Sequence, residues 1–430
     1  MSLQSWGMYP KIENKKFYLR DEKSLNEYMQ KTPEFITYGN GRSYGDSALN
    51  ENILYTKSYD NFLDFDEEKG ILNAQAGVLL SDILDAVVKK GWFLKVTPGT
   101  KLITLGGAIA SDVHGKNHHI EGCFSECVEE FKIMLNDTSI QVAKKGDELF
   151  LATCGGMGLT GVILSAKISL KKINSAYINQ TTIKTKNLKE TFEAFEKYKD
   201  MPYSVAWIDC LAQDEAIGKS LLMVGDFAPN GDLEYKSKKK FTIPFTFPSF
   251  ALNNLSVRAF NYLYYAKAKE GISKQKVSID TFFYPLDAIG EWNKIYGSGG
   301  FTQYQFILPK DASYAGLKEI LQKISQSAKG SFLAVLKLYG KANDNYLSFP
   351  LEGYSLALDF KIEDGVFELL DTLDDIVVKY GGRIYLTKDV RVKKSTFEQG
   401  YPMIEKFRAF RKEHKMDEKF NSLQSKRVQI

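Results

Sequence analysis

Three glycine-rich segments within the first 163 residues limit the fold of this chain more than any other feature. The first is Tyr38-Gly39-Asn40-Gly41-Arg42-Ser43-Tyr44-Gly45-Asp46, which follows a short apolar run and fits neither a helix nor an ordinary strand. The second begins at Pro98-Gly99-Thr100 and continues through Thr104-Leu105-Gly106-Gly107-Ala108-Ile109-Ala110-Ser111-Asp112-Val113-His114-Gly115-Lys116-Asn117-His118-His119. The third is Cys154-Gly155-Gly156-Met157-Gly158-Leu159-Thr160-Gly161-Val162-Ile163. Glycine admits positive φ and lets a ligand approach the backbone closely. Successive amide N–H groups in such turns form an anion-binding concavity. One Gly-x-Gly is as readily a tight surface turn as a pyrophosphate cradle. Three such segments in succession point to an extended dinucleotide threaded between them.

The spacing excludes a doubly wound dinucleotide fold at the first loop. That fingerprint needs G-x-G-x-x-G between a strand and a helix, and Tyr44 stands where its last glycine would be, with Gly45 one position late. The surrounding pattern is mixed. A helix is predicted over Asp21–Met29, strands over Phe35–Tyr38, Ile53–Thr56 and Ile71–Val78, and a helix over Ser81–Lys90 with Ser81 as N-cap and Gly91 past its end. A helix is predicted over Gly146–Thr153 and a strand over Val162–Leu170. Composition shifts near Lys171-Lys172-Ile173-Asn174. Beyond it, strands are predicted at Ala206–Asp209 and Ser355–Phe360, and helices at Leu317–Ile324 and Val366–Tyr380. Gln303-Tyr304-Gln305 reads as a strand with one polar face. The expectation is an α+β protein rather than a parallel doubly wound one.

With 430 residues the chain is long enough for two domains. A net charge of +4 does not call for nucleic acid, and the aromatic content of 13% suits a large core or a ring-stacking pocket. Cys123, Cys127, Cys154 and Cys210 complete no zinc set and read as free, partly buried thiols of a reducing compartment. Three of the four histidines fall in His114–His119 without carboxylate or thiol ligands at metal spacing, so no metal is expected. No apolar leader precedes Asn14 and no apolar run is long enough to span a bilayer. The expected location is cytoplasmic, in solution or peripheral on a membrane.

The order of the glycine segments resembles the vanillyl-alcohol-oxidase/p-cresol-methylhydroxylase (PCMH) type of FAD-binding domain. The strings GRSYGD, TPGT, GGAIASDVHGKNHH, ELFLATCGGMGLTG, PLDAIGEWNKIYG, QYQFILP, KLYG and YLTKD are similar to the decaprenylphosphoryl-β-D-ribose 2′-oxidase family within that superfamily. The likeness runs from about Trp6 to Lys426-Arg427. It implies an FAD-binding domain over 1–176, a sheet-based substrate (cap) domain over 177–382, and a return to the FAD-binding domain over 383–430.

The resemblance also implies roles for residues. Tyr38, Gly39, Asn40, Gly41, Arg42, Ser43, Tyr44, Gly99, Thr104, Leu105, Gly106, Gly107, Ser111, His114, Gly115, Asn117, Ile163 and Tyr385 would hold FAD. Tyr44, Gln303, Gln305 and Lys337 would line the substrate pocket, with Tyr44 and Gln305 on sugar hydroxyls and Lys337 on the phosphate. His114 would lie beside the flavin, and Lys116, Asn117 and His118 at or behind the wall. Lys388 would stand near the flavin N1–C2=O edge and the substrate; as a general base it needs a pKa lowered by burial. Related enzymes bond FAD covalently through a histidine where this chain has Arg42, so the flavin is expected to be non-covalent. Arg42 suits a phosphate or an internal ion pair. Ala357 and Ser355 replace a family cysteine and asparagine.

The implied activity is oxidation of the C2 hydroxyl of a polyprenylphosphoryl-β-D-ribofuranose to the 2-keto sugar by hydride transfer to flavin N5. This is the first half of an epimerisation to arabinose, with an NAD(P)H-dependent keto-sugar reductase as partner. A flavin oxidase of a free alditol or sugar lactone, and a non-catalytic binding module, are the rival readings. Lys236-Ser237-Lys238-Lys239-Lys240 beside Phe241, Phe245 and Phe247 reads either as a solvated loop or as a segment on an anionic membrane surface.

Overall fold

The structure is a computed structural model that describes residues 2–235, 241–248 and 250–430; the basic cluster at 236–240 lies outside the described residues. The first helix, Glu22–Lys31, starts where Asp21 accepts from the backbone N–H of Ser24 and Ser24 answers in a capping box, and it buries Leu25 and Met29. The predicted Ser81 N-cap is a correction. The helix begins at Leu80 with Leu79 as N-cap. The reason lies outside the helix: Leu80 and Ser81 give their N–H groups to the carbonyls of Ile103 and Lys101, so no serine cap is needed. Gly91 ends the following turn at φ 80°, in the left-handed region that favours glycine.

Three larger sheets organise the described residues, beside a two-stranded parallel pair of Phe241–Thr242 and Ile289–Gly290. Lys15–Tyr18, Asn52–Tyr55 and Ile36–Tyr38 form a small parallel sheet in that order. An antiparallel six-stranded sheet takes Phe62–Asp66, Ile71–Gln75, Val162–Lys172, Val128–Met134 and Ile140–Lys144 in order, with Trp92–Leu94 also pairing on Val162–Lys172. An antiparallel eight-stranded sheet follows. Its order is Ile272–Ser278, Tyr177–Thr185, Ser220–Phe227, Tyr203–Ile208, Ala334–Tyr339, Gly353–Lys361, Phe301–Pro309 and Arg383–Ile384. The composition shift at Lys171–Asn174 therefore falls where the chain leaves one large sheet for the other.

The larger sheet has two unlike faces, as the two-residue period of a strand requires. Tyr304, Phe306, Leu308, Leu336, Leu356 and Leu358 are buried in the main core with Leu317, Ile320 and Leu321 of the helix Lys310–Ser327 and Leu370 and Leu373 of the helix Val366–Lys379. The alternate positions are Gln303, Gln305, Lys337 and Ala357, which line a cavity. In register, Gln303 lies opposite Asp359 and Lys337 opposite Ser355.

The C-terminal segment closes the other side of that cavity. Phe35 bridges to Phe420, and Leu423 donates its N–H to the Leu49 carbonyl. Arg427 donates through Nε and Nη2 to both carboxylate oxygens of Asp46, at 3.1 and 2.9 Å, and through Nη2 to Asp389 Oδ2 at 2.8 Å. The side chains of Asp46 and Asp389 are 6% and 3% exposed. Arg427→Met would leave both carboxylates buried without their cation, and we expect a loss of about 3–5 kcal/mol of stability. Arg427→Lys keeps the charge, loses the fork geometry, and should fall between the two. Urea unfolding of the three proteins checks the order.

Candidate active site

The first glycine loop leaves the strand Ile36–Tyr38 and is pinned on both sides. Asn40 Nδ2 donates to the Leu102 carbonyl at 2.7 Å. A Cβ on Gly39 would sit 2.4 Å from Thr104 Oγ1, so only glycine lets this loop lie against the second one. Thr104 caps the short helix Leu105–Ala110, accepting from Gly107 N–H. The third segment reaches the same place, because Gly155 and Met157 donate to the carbonyls of Ile109 and Ala110. At the far end, Tyr44 N–H donates to the Thr387 carbonyl, and a Cβ on Gly45 would lie 1.8 Å from the Asp389 carbonyl oxygen. The first loop is thus wedged between the second loop and the stretch that carries Lys388.

These walls and the polar face of the eight-stranded sheet enclose a cavity of about 370 Å³, within the range of about 300–1,000 Å³ usual for small-molecule and cofactor sites. Of the residues expected to hold the cofactor, Gly39, Asn40, Gly41, Arg42, Ser43, Tyr44, Gly99, Thr104, Gly106, Gly107, Ser111, His114, Ile163 and Tyr385 line it. Gln303, Gln305, Lys337, Lys388 and Lys116 line it too.

Four expected residues are not in its wall. Tyr38 donates its hydroxyl to the Gln4 carbonyl at 2.5 Å. Leu105 is fully buried in the core. Gly115 packs against the Thr97 carbonyl, and Asn117 Nδ2 donates to the Lys95 carbonyl at 2.9 Å. These four shape the wall from behind. His118 also lies behind it: Nδ1 accepts from Gly340 N–H at 3.2 Å and Nε2 meets Cys123 Sγ at 3.4 Å. The four cysteines are free and fully buried rather than partly so.

Basic groups converge in the cavity. Lys388 Nζ lies 3.8 Å from the centroid of the Tyr44 ring. Burial pushes its pKa down, and Lys337 adds to the shift while Asp359 opposes it. Burial lowers Lys337 to about 8, and Lys116, whose Nζ donates to the Phe282 carbonyl, to about 7. His114 is held well below its ordinary value by burial and by the neighbouring lysines and His118, so it is neutral. Gln305 Nε2 donates to His114 Nε2 at 3.1 Å. That nitrogen accepts, which puts the proton on Nδ1.

Two carboxylates adjoin these groups, and sequence reasoning missed both: Asp287 lines the cavity and accepts from the Thr100 hydroxyl at 2.7 Å and the Lys101 N–H at 2.8 Å, and Asp359 stands near Lys388. Asp359 accepts from Gln303 Nε2 at 2.5 Å and from the Tyr296 hydroxyl at 3.2 Å, and burial raises its pKa. Its signal lay in the alternation Ser355, Ala357, Asp359 along one strand face. Trp6 was also missed. It stacks under the Arg42 guanidinium at 3.9 Å, and no side chain in the preceding sequence marks it as part of the site. Arg42 Nε has no hydrogen-bond partner among the described residues, while the charges of Asp287, also in the cavity wall, and Glu291 act on its guanidinium.

The comparisons with known proteins fit this picture. An FAD binding domain family model matches residues 22–144. The chain is 35% identical over 412 residues to the decaprenylphosphoryl-β-D-ribose oxidase of Mycolicibacterium smegmatis, covering 92% of this chain and 89% of that one. It is 26% identical over 349 residues to an uncharacterised protein of Streptomyces coelicolor, covering 78% of this chain and 95% of that one. L-gulonolactone oxidase of Bos taurus is 26% identical over 164 residues, 37% of this chain and 36% of that one.

The cavity itself fits FAD. Arg42 Nε and His114 Nδ1 are buried without a hydrogen-bond partner among the described residues, and both side chains line the cavity. A buried donor left unmatched is costly, and an acceptor-rich cofactor satisfies it. Gly99 leaves open space where a Cβ would stand. With a glycine cradle, donors without acceptors and a relative matched along nearly its whole length, the chain belongs to the decaprenylphosphoryl-β-D-ribose oxidase family of FAD-binding flavoenzymes.

Proposed function

We propose that this protein oxidises the C2 hydroxyl of a polyprenylphosphoryl-β-D-ribofuranose to the 2-keto sugar. The product would pass to an NAD(P)H-dependent keto-sugar reductase, completing an epimerisation to arabinose. The observation that carries the reading is the convergence of Lys388, Tyr44, Gln305, Lys337 and His114 on one cavity walled by the glycine loops. Sequence likeness to a ribose oxidase supplies the substrate class.

Bound FAD supplies the two-electron acceptor that takes the hydride from the carbinol carbon. The chain's own residues handle the proton and the charge. Lys388 Nζ takes the hydroxyl proton, a role that burial prepares by favouring the neutral amine. Asp359 favours the ammonium that results. Tyr44 and Gln305 orient the sugar, and Lys337 meets the phosphate. His114, neutral and with its proton on Nδ1, offers a donor to the cofactor, and Arg42 offers its guanidinium to a cofactor phosphate. Arg42 has no nucleophilic nitrogen, which supports a flavin held without a covalent bond. A division into an FAD-binding unit of residues 1–176 and 383–430 and a substrate unit of 177–382 draws support from the change of sheet after Lys172 and from the docking of 420–427 on the first loop, while Arg383–Ile384 still pairs at the edge of the eight-stranded sheet. Among the described residues no helix is long and apolar enough to cross a membrane, which is compatible with peripheral membrane contact.

Purified protein should be yellow, release FAD on denaturation, and bleach anaerobically with a lipid-linked ribose but not with a free alditol or sugar lactone. A protein that FAD cannot reconstitute, or one bleached by the lactone alone, overturns the reading. Lys388→Ala should keep FAD and lose about 10²–10⁴-fold in bleaching rate. The rate should rise with pH through the Lys388 titration, because only the neutral amine accepts a proton. Asp359→Asn removes the charge that favours the ammonium, so the whole profile should move to lower pH by about 1 unit; stopped-flow bleaching across pH measures it.

A further inference from the structure

The helix Asn254–Lys267 is amphipathic in the reverse sense. Its inward side carries Val257 and Asn261, the latter 1% exposed with Nδ2 donating to Asp209 Oδ1 at 2.8 Å. Its outward side carries Leu255, Ala259, Tyr262, Leu263 and Ala266, spaced i, i+4, i+7, i+8 and i+11. Leu255, Tyr262 and Leu263 are 77%, 68% and 65% exposed. A helix that serves only its own core turns charged residues outward. Phe250 and Phe245, just ahead of it, are 77% and 62% exposed. Exposed apolar surface on this scale marks an interaction site.

Two further observations choose the occupant. First, the inward side of this helix forms part of the cavity wall. Phe260 stacks on Tyr264 at 5.7 Å between centroids, Tyr264 meets Trp207 edge-on at 4.9 Å, and Tyr264 and Trp207 line the cavity. Second, the surroundings are cationic. Between Phe241 and Lys276 the sequence has Arg258, Lys267, Lys269, Lys274 and Lys276 against Glu270 alone, an excess equal to the +4 of the entire chain. Apolar residues on one helix face with lysines around them are the pattern that lies in an anionic membrane interface.

We propose that the helix Asn254–Lys267 docks this protein on an anionic bilayer, its outward stripe entering the boundary between headgroups and acyl chains and its flanking lysines meeting the headgroups. The inward side of the same helix supplies Tyr264 to the cavity wall, so docking through the outward stripe holds the cavity next to the lipid phase in which a lipid-linked sugar phosphate resides. Only this last consequence rests on the proposed oxidation; the docking stands on the helix.

The test is sedimentation of the FAD-loaded full chain with vesicles of phosphatidylcholine alone or mixed with phosphatidylglycerol, with no substrate present. Binding should favour the anionic vesicles and weaken with salt. The double variant Leu255→Glu/Leu263→Glu should bind at least about tenfold more weakly, with flavin spectrum and bleaching by a water-soluble short-chain ribosyl phosphate unchanged. Equal binding by the double variant, absence of binding to either vesicle, or a solution dimer that the double variant abolishes would each overturn the proposal. Because vesicle binding is read without turnover, a failure of the oxidation reading leaves the docking result standing, and the reverse.

Discussion

The forked ion pair of Arg427 with Asp46 and Asp389 is the constraint from which the site follows. Asp46 ends the first glycine loop and Asp389 follows Lys388, so one guanidinium joins segments from opposite ends of the chain. A buried ion pair is a poor source of net stability, because desolvation offsets most of its attraction. Its value here is positional. With the two carboxylates held, Tyr44 bonds to Thr387, Gly45 lies flush on Asp389, and Lys388 is left above the Tyr44 ring. The glycine at position 45 and the arginine at 427 serve the same contact, one by taking no space and the other by supplying charge.

A second consequence concerns charge inside the cavity. Lys388, Lys337, Lys116 and His114 are basic groups removed from water, with Asp359 near Lys388 and Asp287 in the cavity wall. Burial disfavours the charged form of each, so these groups give up a proton more readily than they would at the surface, while Arg42 in the same wall stays cationic. In a low-dielectric site each of these groups interacts more strongly than it would at the surface. A set of bases whose proton affinity is lowered by burial suits chemistry that releases a proton while negative charge arrives nearby. The same burial lowers the stability of the cluster, which explains the hydrogen bonding around it: Gln305 reaches His114, Tyr339 and Ser355, and Gln303 reaches Asp359.

The eight-stranded sheet makes this arrangement possible. One face is sealed by helices and filled with aliphatic and aromatic side chains. That face carries the cost of folding and leaves the other free to be polar. Strand register then sets the chemistry, because Gln303 and Asp359, or Lys337 and Ser355, are cross-strand neighbours whatever ligand is present. Aromatic rings continue the polar face outward to a helix whose apolar side has no protein partner within the described chain.

Local order was legible in the sequence where it depends on neighbours in the chain. The first helix, the helix around Leu317–Ile324 within the longer Lys310–Ser327, the helix from Val366, the strand around Gln303-Tyr304-Gln305 and the change near Lys171 all follow from periodicity and composition, which act over a few residues. The three glycine segments announced a cradle because no other common structure tolerates so many. Ser81 failed as a cap because carbonyls at 101 and 103 supplied what a cap would have. Asp359 showed only the alternation of its strand, which places it on the polar face but not beside Lys388, and nothing in the segment of Trp6 distinguishes an indole that stacks on Arg42 from ordinary core. Residue type and spacing determined which chemistry this chain can carry; only the tertiary structure decided which groups meet, because contacts between residues hundreds of positions apart are set by sheet register and loop wedging rather than by any pattern along the chain.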